Sequence, residues 1–120
     1  MPLVLIIDDD MPVRKVLVRA LKQDGYESAE AVDGDTGIEM YDQLNPDVVV
    51  TDILMPGKYG LQVVRHIRDT GKGTPVIVIS GYHPARLSMA EELGAVQTLQ
   101  KPFEMKVFLN AVSAAASLAE

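Results

Sequence analysis

Three stretches of the chain are apolar without a break, and each runs into a polar residue. Leu3-Val4-Leu5-Ile6-Ile7 meets Asp8, Val48-Val49-Val50 passes through Thr51 to Asp52, and Val76-Ile77-Val78-Ile79 meets Ser80. Continuous apolar runs of this length fit strands buried on both faces, the pattern of a central parallel sheet. Residues 27–31 (Glu-Ser-Ala-Glu-Ala) and 96–100 (Val-Gln-Thr-Leu-Gln) mix polar and apolar side chains. They suit strands at the sheet edges, where burial is partial.

Between these stretches the apolar spacing lengthens to three and four. The first predicted helix has Pro12 in its first turn and an aspartate ahead of it as cap. Val13, Val16, Leu17, Ala20 and Leu21 repeat along it, and Gly25 ends it. The second spans residues 35–44, with Ile38, Met40, Tyr41 and Leu44 as its apolar side and Asn45-Pro46 as its stop. A loop by composition, Pro56-Gly57-Lys58-Tyr59-Gly60, leads to a third helix carrying Leu61, Val64 and Ile67 and ending at Gly71 and Gly73. A short fourth helix covers about Pro84 to Leu93 with Gly94 as terminator. The fifth follows Lys101-Pro102-Phe103 and turns Phe108, Ala111, Val112 and Ala115 toward the core.

The alternation is (βα)5, which predicts an α/β doubly wound parallel sheet of flavodoxin-like form with right-handed crossovers. The three apolar strands belong in the middle and the two half-polar ones at the edges, giving strand order 2-1-3-4-5. One domain is expected over residues 1–120, since this length supports a single core and is short for two. The topological switch point falls between the first and third strands, which end in Asp8-Asp9 and Asp52.

Composition narrows the function classes. Apolar residues make up 48% and charged ones 23%, as in an ordinary globular protein, and no cysteine is present for a disulfide or a thiolate metal site. No apolar run reaches a membrane span and the N-terminus lacks the marks of a signal peptide, so a cytoplasmic protein is expected. The net charge of −6 argues against a broad nucleic-acid surface, although Arg14, Lys15, Arg19 and Lys22 gather in one segment. Asp8, Asp9 and Asp10 are consecutive, and adjacent carboxylates repel one another unless a cation or solvent offsets them.

The ends of four strands therefore carry Asp8 to Asp10, Asp52, Ser80 and Lys101 on one rim of the sheet. Singly, each has a plainer reading: Asp52 as a turn residue, Ser80 and Asp10 as caps, Lys101 as a solvated charge. Together they form a candidate site. Clustered carboxylates suit a hard divalent cation such as Mg2+. Asp52 is a metal ligand, a nucleophile, or both; as a nucleophile toward phosphorus it would need the cation, a lysine and a hydroxyl nearby, roles that Asp9, Lys101 and Ser80 fill.

With Asp8-Asp9, Asp52 followed by Met55-Pro56 and Gly60, Ser80-Gly81, Gly94-Ala95 and Lys101-Pro102-Phe103 in place, the whole chain resembles the receiver domain of two-component response regulators, of the chemotaxis-regulator type. The resemblance implies that Asp52 accepts a phosphoryl group from the phosphohistidine of a histidine kinase or phosphotransfer protein. It implies Mg2+ or Mn2+ held by Asp8, Asp9, Asp52 and the backbone carbonyl of Leu54, with Asp9 a direct ligand. Ser80 would be the switch hydroxyl, Lys101 would pair with the phosphate, and the peptide before Pro102 would be cis. The domain would be no enzyme beyond its own phosphorylation and dephosphorylation, and would neither bind nucleic acid directly nor contact a membrane.

Three departures from the family pattern bear on output. Thr98 stands where an aromatic ring is common, so signalling is expected to rely on the loop after Ser80 and on the fourth helix. Tyr59, near the mouth of the site, shields the phosphate or simply covers the third helix. Leu54, two residues beyond the acceptor, offers no group to orient an attacking water. The expected output surface is the face of helix 4, strand 5 and helix 5, serving an effector domain or a homodimer. Val107 and Leu109, flanking the core positions of helix 5, are expected to add partly exposed apolar surface. The chain is expected to be a stand-alone receiver or a piece of a longer regulator. Two rivals remain at this stage: a haloacid-dehalogenase-like phosphatase, whose Asp-x-Asp pattern Asp8 and Asp10 match in form, and a degenerate receiver that binds partners without phosphorylation.

Overall fold

The computed structural model describes residues 1–53, 60–81 and 84–118, with side chains 84–87 set aside. Ten elements alternate along the chain: β1 (Leu3–Ile7), α1 (Met11–Gln23), β2 (Glu27–Ala31), α2 (Gly34–Leu44), β3 (Val48–Asp52), α3 (Gly60–Asp69), β4 (Val76–Ser80), α4 (Pro84–Leu93), β5 (Gln97–Gln100) and α5 (Met105–Leu118). The five strands form one parallel sheet in the order β2-β1-β3-β4-β5. The apolar strands are central, with a neighbouring strand on each side, and the mixed ones lie at the edges.

The period of two along each strand splits the core into two layers. Val4, Ile6, Val48, Val50, Ile77 and Ile79 face α1 and α5, where Leu17, Leu21, Phe108 and Val112 meet them. Leu5, Ile7, Val49 and Val78 face the opposite way, against Tyr41 of α2, Val63, Val64 and Ile67 of α3, and Ala90 of α4. Each fully buried side chain of this size is worth roughly 1.5–3 kcal/mol, so the sheet holds its shape through both layers.

Caps and stops follow local chemistry. Asp10 caps α1, its carboxylate accepting from the Val13 N–H at 3.3 Å, with Pro12 in the first turn. Asp33 caps α2 more tightly, at 2.8 Å from the Thr36 N–H. Gly25 follows α1 with φ +89° and Gly94 follows α4 with φ +117°, backbone states that side-chain-bearing residues avoid. The peptide between Lys101 and Pro102 is cis.

Several expectations shift. Val16 does not join the core: it is 51% exposed on the flank of α1, because the inward face runs through Arg14, Leu17 and Leu21 instead. Leu44, in the last turn of α2, is 42% exposed, the helix having turned its inner face away by its end. Val63 is a buried member of α3, Leu61 only partly so. α2 starts at Gly34 rather than 35, and β5 at Gln97 rather than 96. Val107 is exposed, whereas Leu109 packs partly against the α1–α5 layer.

Candidate functional site

The rim at the carboxyl ends of β1, β3, β4 and β5 brings together most of the residues singled out in the sequence. Asp8 follows β1, and its N–H donates to the Ala31 carbonyl at 3.1 Å, extending the β1–β2 ladder by one step. Its Oδ1 accepts from the Asp10 N–H at 2.9 Å, so the carboxylate is folded back into the turn and is 2% exposed. Asp9 is exposed and Asp52, the last residue of β3, is half-buried. One carboxylate oxygen from each of Asp8, Asp9 and Asp52 falls within 4.8 Å of the others.

Lys101 enters from beyond β5. Its Nζ donates to Asp52 Oδ2 at 2.7 Å and to Asp8 Oδ2 at 3.4 Å. Its own N–H donates to the Ser80 carbonyl at 2.7 Å, which fastens the start of this loop to the end of β4. Ser80 is buried, and because Asp52 pairs with Ile79 it stands one position further along the neighbouring strand. Asp10, by contrast, is spent on the α1 cap.

The close approach of backbone at Asp52 depends on Gly60. A Cβ on Gly60 would lie 2.1 Å from the Asp52 carbonyl oxygen, while the Gly60 N–H donates to the Ile53 carbonyl at 2.8 Å. The first residue of α3 thus presses directly on the end of β3. Leu54 and Tyr59, named in the sequence, lie outside the described residues.

Charge in the site is lopsided. Burial pushes the Asp8 carboxyl up to about 6; the Asp10 N–H and Lys101 oppose this, and the charge of Asp52 reinforces it. Burial also works against the Lys101 ammonium, but the hydrogen bonds and charges of Asp52 and Asp8 outweigh it and hold the amine above the usual lysine range. Among the described residues, three carboxylates face one ammonium, a set rich in hard oxygen donors. Such a set fits a small divalent cation and offers nothing to a soft one.

Sequence reasoning missed Arg14. It is 7% exposed, and its guanidinium donates from Nη1 to the Asp8 carbonyl at 2.8 Å and from Nε to Glu30 Oε1 at 3.2 Å. The available signal was its place on α1: positions 14, 17 and 21 share one face, and the other two are core leucines. Beside the rim, between the start of α1 and the loop into α5, runs an open apolar groove of ≈ 620 Å³ lined by Val13, Val16, Lys101, Phe103 and Met105, among others. Across the sheet, Thr98 of β5 donates its hydroxyl to Glu91 of α4 at 3.0 Å.

Comparison with known proteins shows the family. The family model described as "Response regulator receiver domain" matches residues 4–113. Response regulator MprA of Mycobacterium leprae is 37% identical over 116 residues, covering 92% of this chain and 49% of that protein. MprA of Mycobacterium ulcerans is 38% identical over 111 residues, with 88% and 46% covered. The chain therefore spans about half the length of these curated relatives. Among solved structures, the receiver domain of Francisella response regulator 1452 superposes with a TM-score of 0.93 at 25% identity, covering 100% of both chains. FixJ-N gives 0.89 at 30% identity, covering 98% of this chain and 94% of that one. The acidic cluster, the lysine and the strand order thus sit in a fold and a sequence family that agree, and the chain belongs to the response regulator receiver domains of two-component systems.

Proposed function

We propose that Asp52 is the phosphoacceptor of this receiver domain, residues 1–120 forming one such domain. The observation that carries the reading is the Lys101 amine, 2.7 Å from an Asp52 oxygen and bridged to Asp8, at the open edge of a three-carboxylate cluster. A carboxylate oxygen of Asp52 attacks the phosphorus of a phosphohistidine; an O–P bond forms as the P–N bond breaks, and the imidazole leaves with a proton. Lys101 then pairs with the phosphate, and the Ser80 hydroxyl donates to a phosphoryl oxygen. Asp8, Asp9 and Asp52, with the Leu54 carbonyl, would hold Mg2+ or Mn2+, which offsets the charge on the transferring group. Hydrolysis of the acyl phosphate returns Asp52 to its starting form, so the domain promotes its own phosphorylation and dephosphorylation and transforms no other substrate.

The donor is a histidine kinase or phosphotransfer protein in the cytoplasm. The surface that reports the phosphate is formed by α4, β5 and α5, where Met89, Val96 and Val107 are exposed for an effector domain or a second copy. Thr98 replaces the usual ring and is engaged with Glu91, which supports a signal passing through the segment after Ser80 and through α4. Among the described residues no helix is long and apolar enough to cross a membrane.

Incubation with a small phosphodonor and Mg2+, followed by intact-mass measurement, tests the acceptor. One phosphoryl group is expected on the wild type and none on Asp52→Asn. Labelling of Asp52→Asn at the wild-type level would overturn the assignment.

A further inference from the structure

Arg14 is a charged side chain on the buried face of α1, and its partners explain why it is there. A buried guanidinium needs a counter-charge, and Glu30 of β2 supplies one; the other oxygen of Glu30 is held by Lys15 at 3.1 Å. If neutralisation were all, the planar fork would meet Glu30 with two parallel bonds, the geometry arginine and carboxylate favour. Instead the fork is split. Nε goes to Glu30 at 3.2 Å, and Nη1 goes to the main-chain carbonyl of Asp8 at 2.8 Å.

That carbonyl belongs to the peptide unit joining Asp8 to Asp9. Because a peptide is planar, fixing its oxygen fixes the plane whose far side carries the Asp9 N–Cα bond. Asp9 is exposed, and its backbone direction is set by this plane on one side and by the Asp10 N–H bond to Asp8 Oδ1 on the other. The preceding residue is fixed as well: the Asp8 N–H is held by Ala31 and its Oδ1 by the Asp10 N–H. Glu30 pairs in register with Ile6 on β1, so the anchor of the guanidinium is itself part of the sheet.

We propose that Arg14, braced by Glu30, is a positioning residue that sets the Asp8–Asp9 peptide and thereby the aim of Asp9 into the divalent-cation site. The inference rests on the reading of Asp8, Asp9 and Asp52 as cation ligands. Arginine suits this better than lysine, since its Nε and Nη1 donors are fixed apart in one rigid plane, whereas an ammonium offers all its donors from a single atom.

The test is Mn2+ binding to the intact chain, with free Mn2+ followed by electron paramagnetic resonance well below the unfolding temperature. Arg14→Lys, which keeps the charge and loses the fork, is expected to raise the Kd for Mn2+ about tenfold, the usual scale for losing a partner that orients a ligand. Glu30→Leu keeps the bulk and loses both acceptor oxygens of the brace, and is expected to raise it about tenfold as well. A merely structural arginine would lower the melting temperature and leave the Kd of the folded protein unchanged. Arg14→Lys folded, with a Kd within twofold of wild type, overturns the proposal; if Arg14→Lys does not fold, an unchanged Kd in Glu30→Leu overturns it. Asp9→Asn separates the two levels. If it abolishes Mn2+ binding while Arg14→Lys does not weaken it, positioning alone fails; if it leaves binding intact, or the wild type binds no Mn2+, the cation site itself fails and the positioning role with it.

Discussion

The rim has two halves that are held in different ways. Where β1 and β3 end, the Asp8 N–H, carbonyl and Oδ1 each have a partner within 3.1 Å, and Gly60 presses against the Asp52 backbone. Where β4 and β5 end, the ties among the described residues are fewer and more exposed. Lys101 is bonded to Ser80 along the backbone, but the Gln100 side chain reaches the Gly81 carbonyl only at 3.5 Å, and Thr98 meets Glu91 in a solvent-exposed bond. In the described part of α4, Ser88, Met89, Glu91 and Glu92 are exposed, while Ala90 is buried and Leu93 partly so. Groups that perform chemistry need fixed positions, whereas a surface that reports on it needs a small energy gap between arrangements. On the proposed function, one sheet supplies both because its central strands are covered on two faces and β5 is an edge.

The sharpest way to break this contrast is at Gly60. Gly60→Ala puts a methyl group on the Asp52 carbonyl, where the obstacle is backbone rather than a movable side-chain tip. A loss of about 3 kcal/mol in urea unfolding followed by far-UV circular dichroism is expected. A loss under 1 kcal/mol would mean that the acidic half yields as readily as the other.

A smaller effect of opposite sign is expected at Asp8. Its carboxyl titrates near 6 in the fold and near 3.8 when unfolded, so between those values the folded protein keeps a proton that the unfolded chain has released. Stability without divalent cation therefore falls as pH rises through about 6. Asp8→Asn in EDTA should be more stable than wild type at pH 7 by roughly 1–3 kcal/mol and should flatten the decline between about pH 4 and 6. Equal stability of the two proteins at pH 7 would show that the buried carboxylate carries no strain. The smallest effect belongs to the reporting half. Thr98→Val removes one exposed hydrogen bond and should cost about 0.5–1 kcal/mol, with amide exchange quickened in α4 and unchanged in β1. Exchange unchanged in α4 would assign its hold to something other than Thr98.

The architecture was legible because its determinants are one-dimensional. Three unbroken apolar strands and two mixed ones fix which are central, and sheet order follows. Asp8, Asp9, Asp52, Ser80 and Lys101 were legible for a related reason: a parallel sheet collects the ends of its strands on one rim. Val16 and Leu44 were misplaced because helical spacing defines a stripe about as wide as a third of the helix, and tertiary packing decides where the stripe ends. Arg14 was hidden because its burial depends on Glu30, a residue of another strand, and on a main-chain oxygen that no side-chain pattern reveals.

The Arg14–Glu30 link also bears on what can be transplanted. An engineer who moved only the acidic pair onto another parallel sheet would leave behind the arginine about one turn into the next helix and the glutamate on the strand after it. The smallest portable piece is the continuous β1–α1–β2 segment, ending at the Ala31 carbonyl that holds the Asp8 N–H. An edge strand with no ligand of its own is then as constrained in sequence as the strand beside it, at one position in particular.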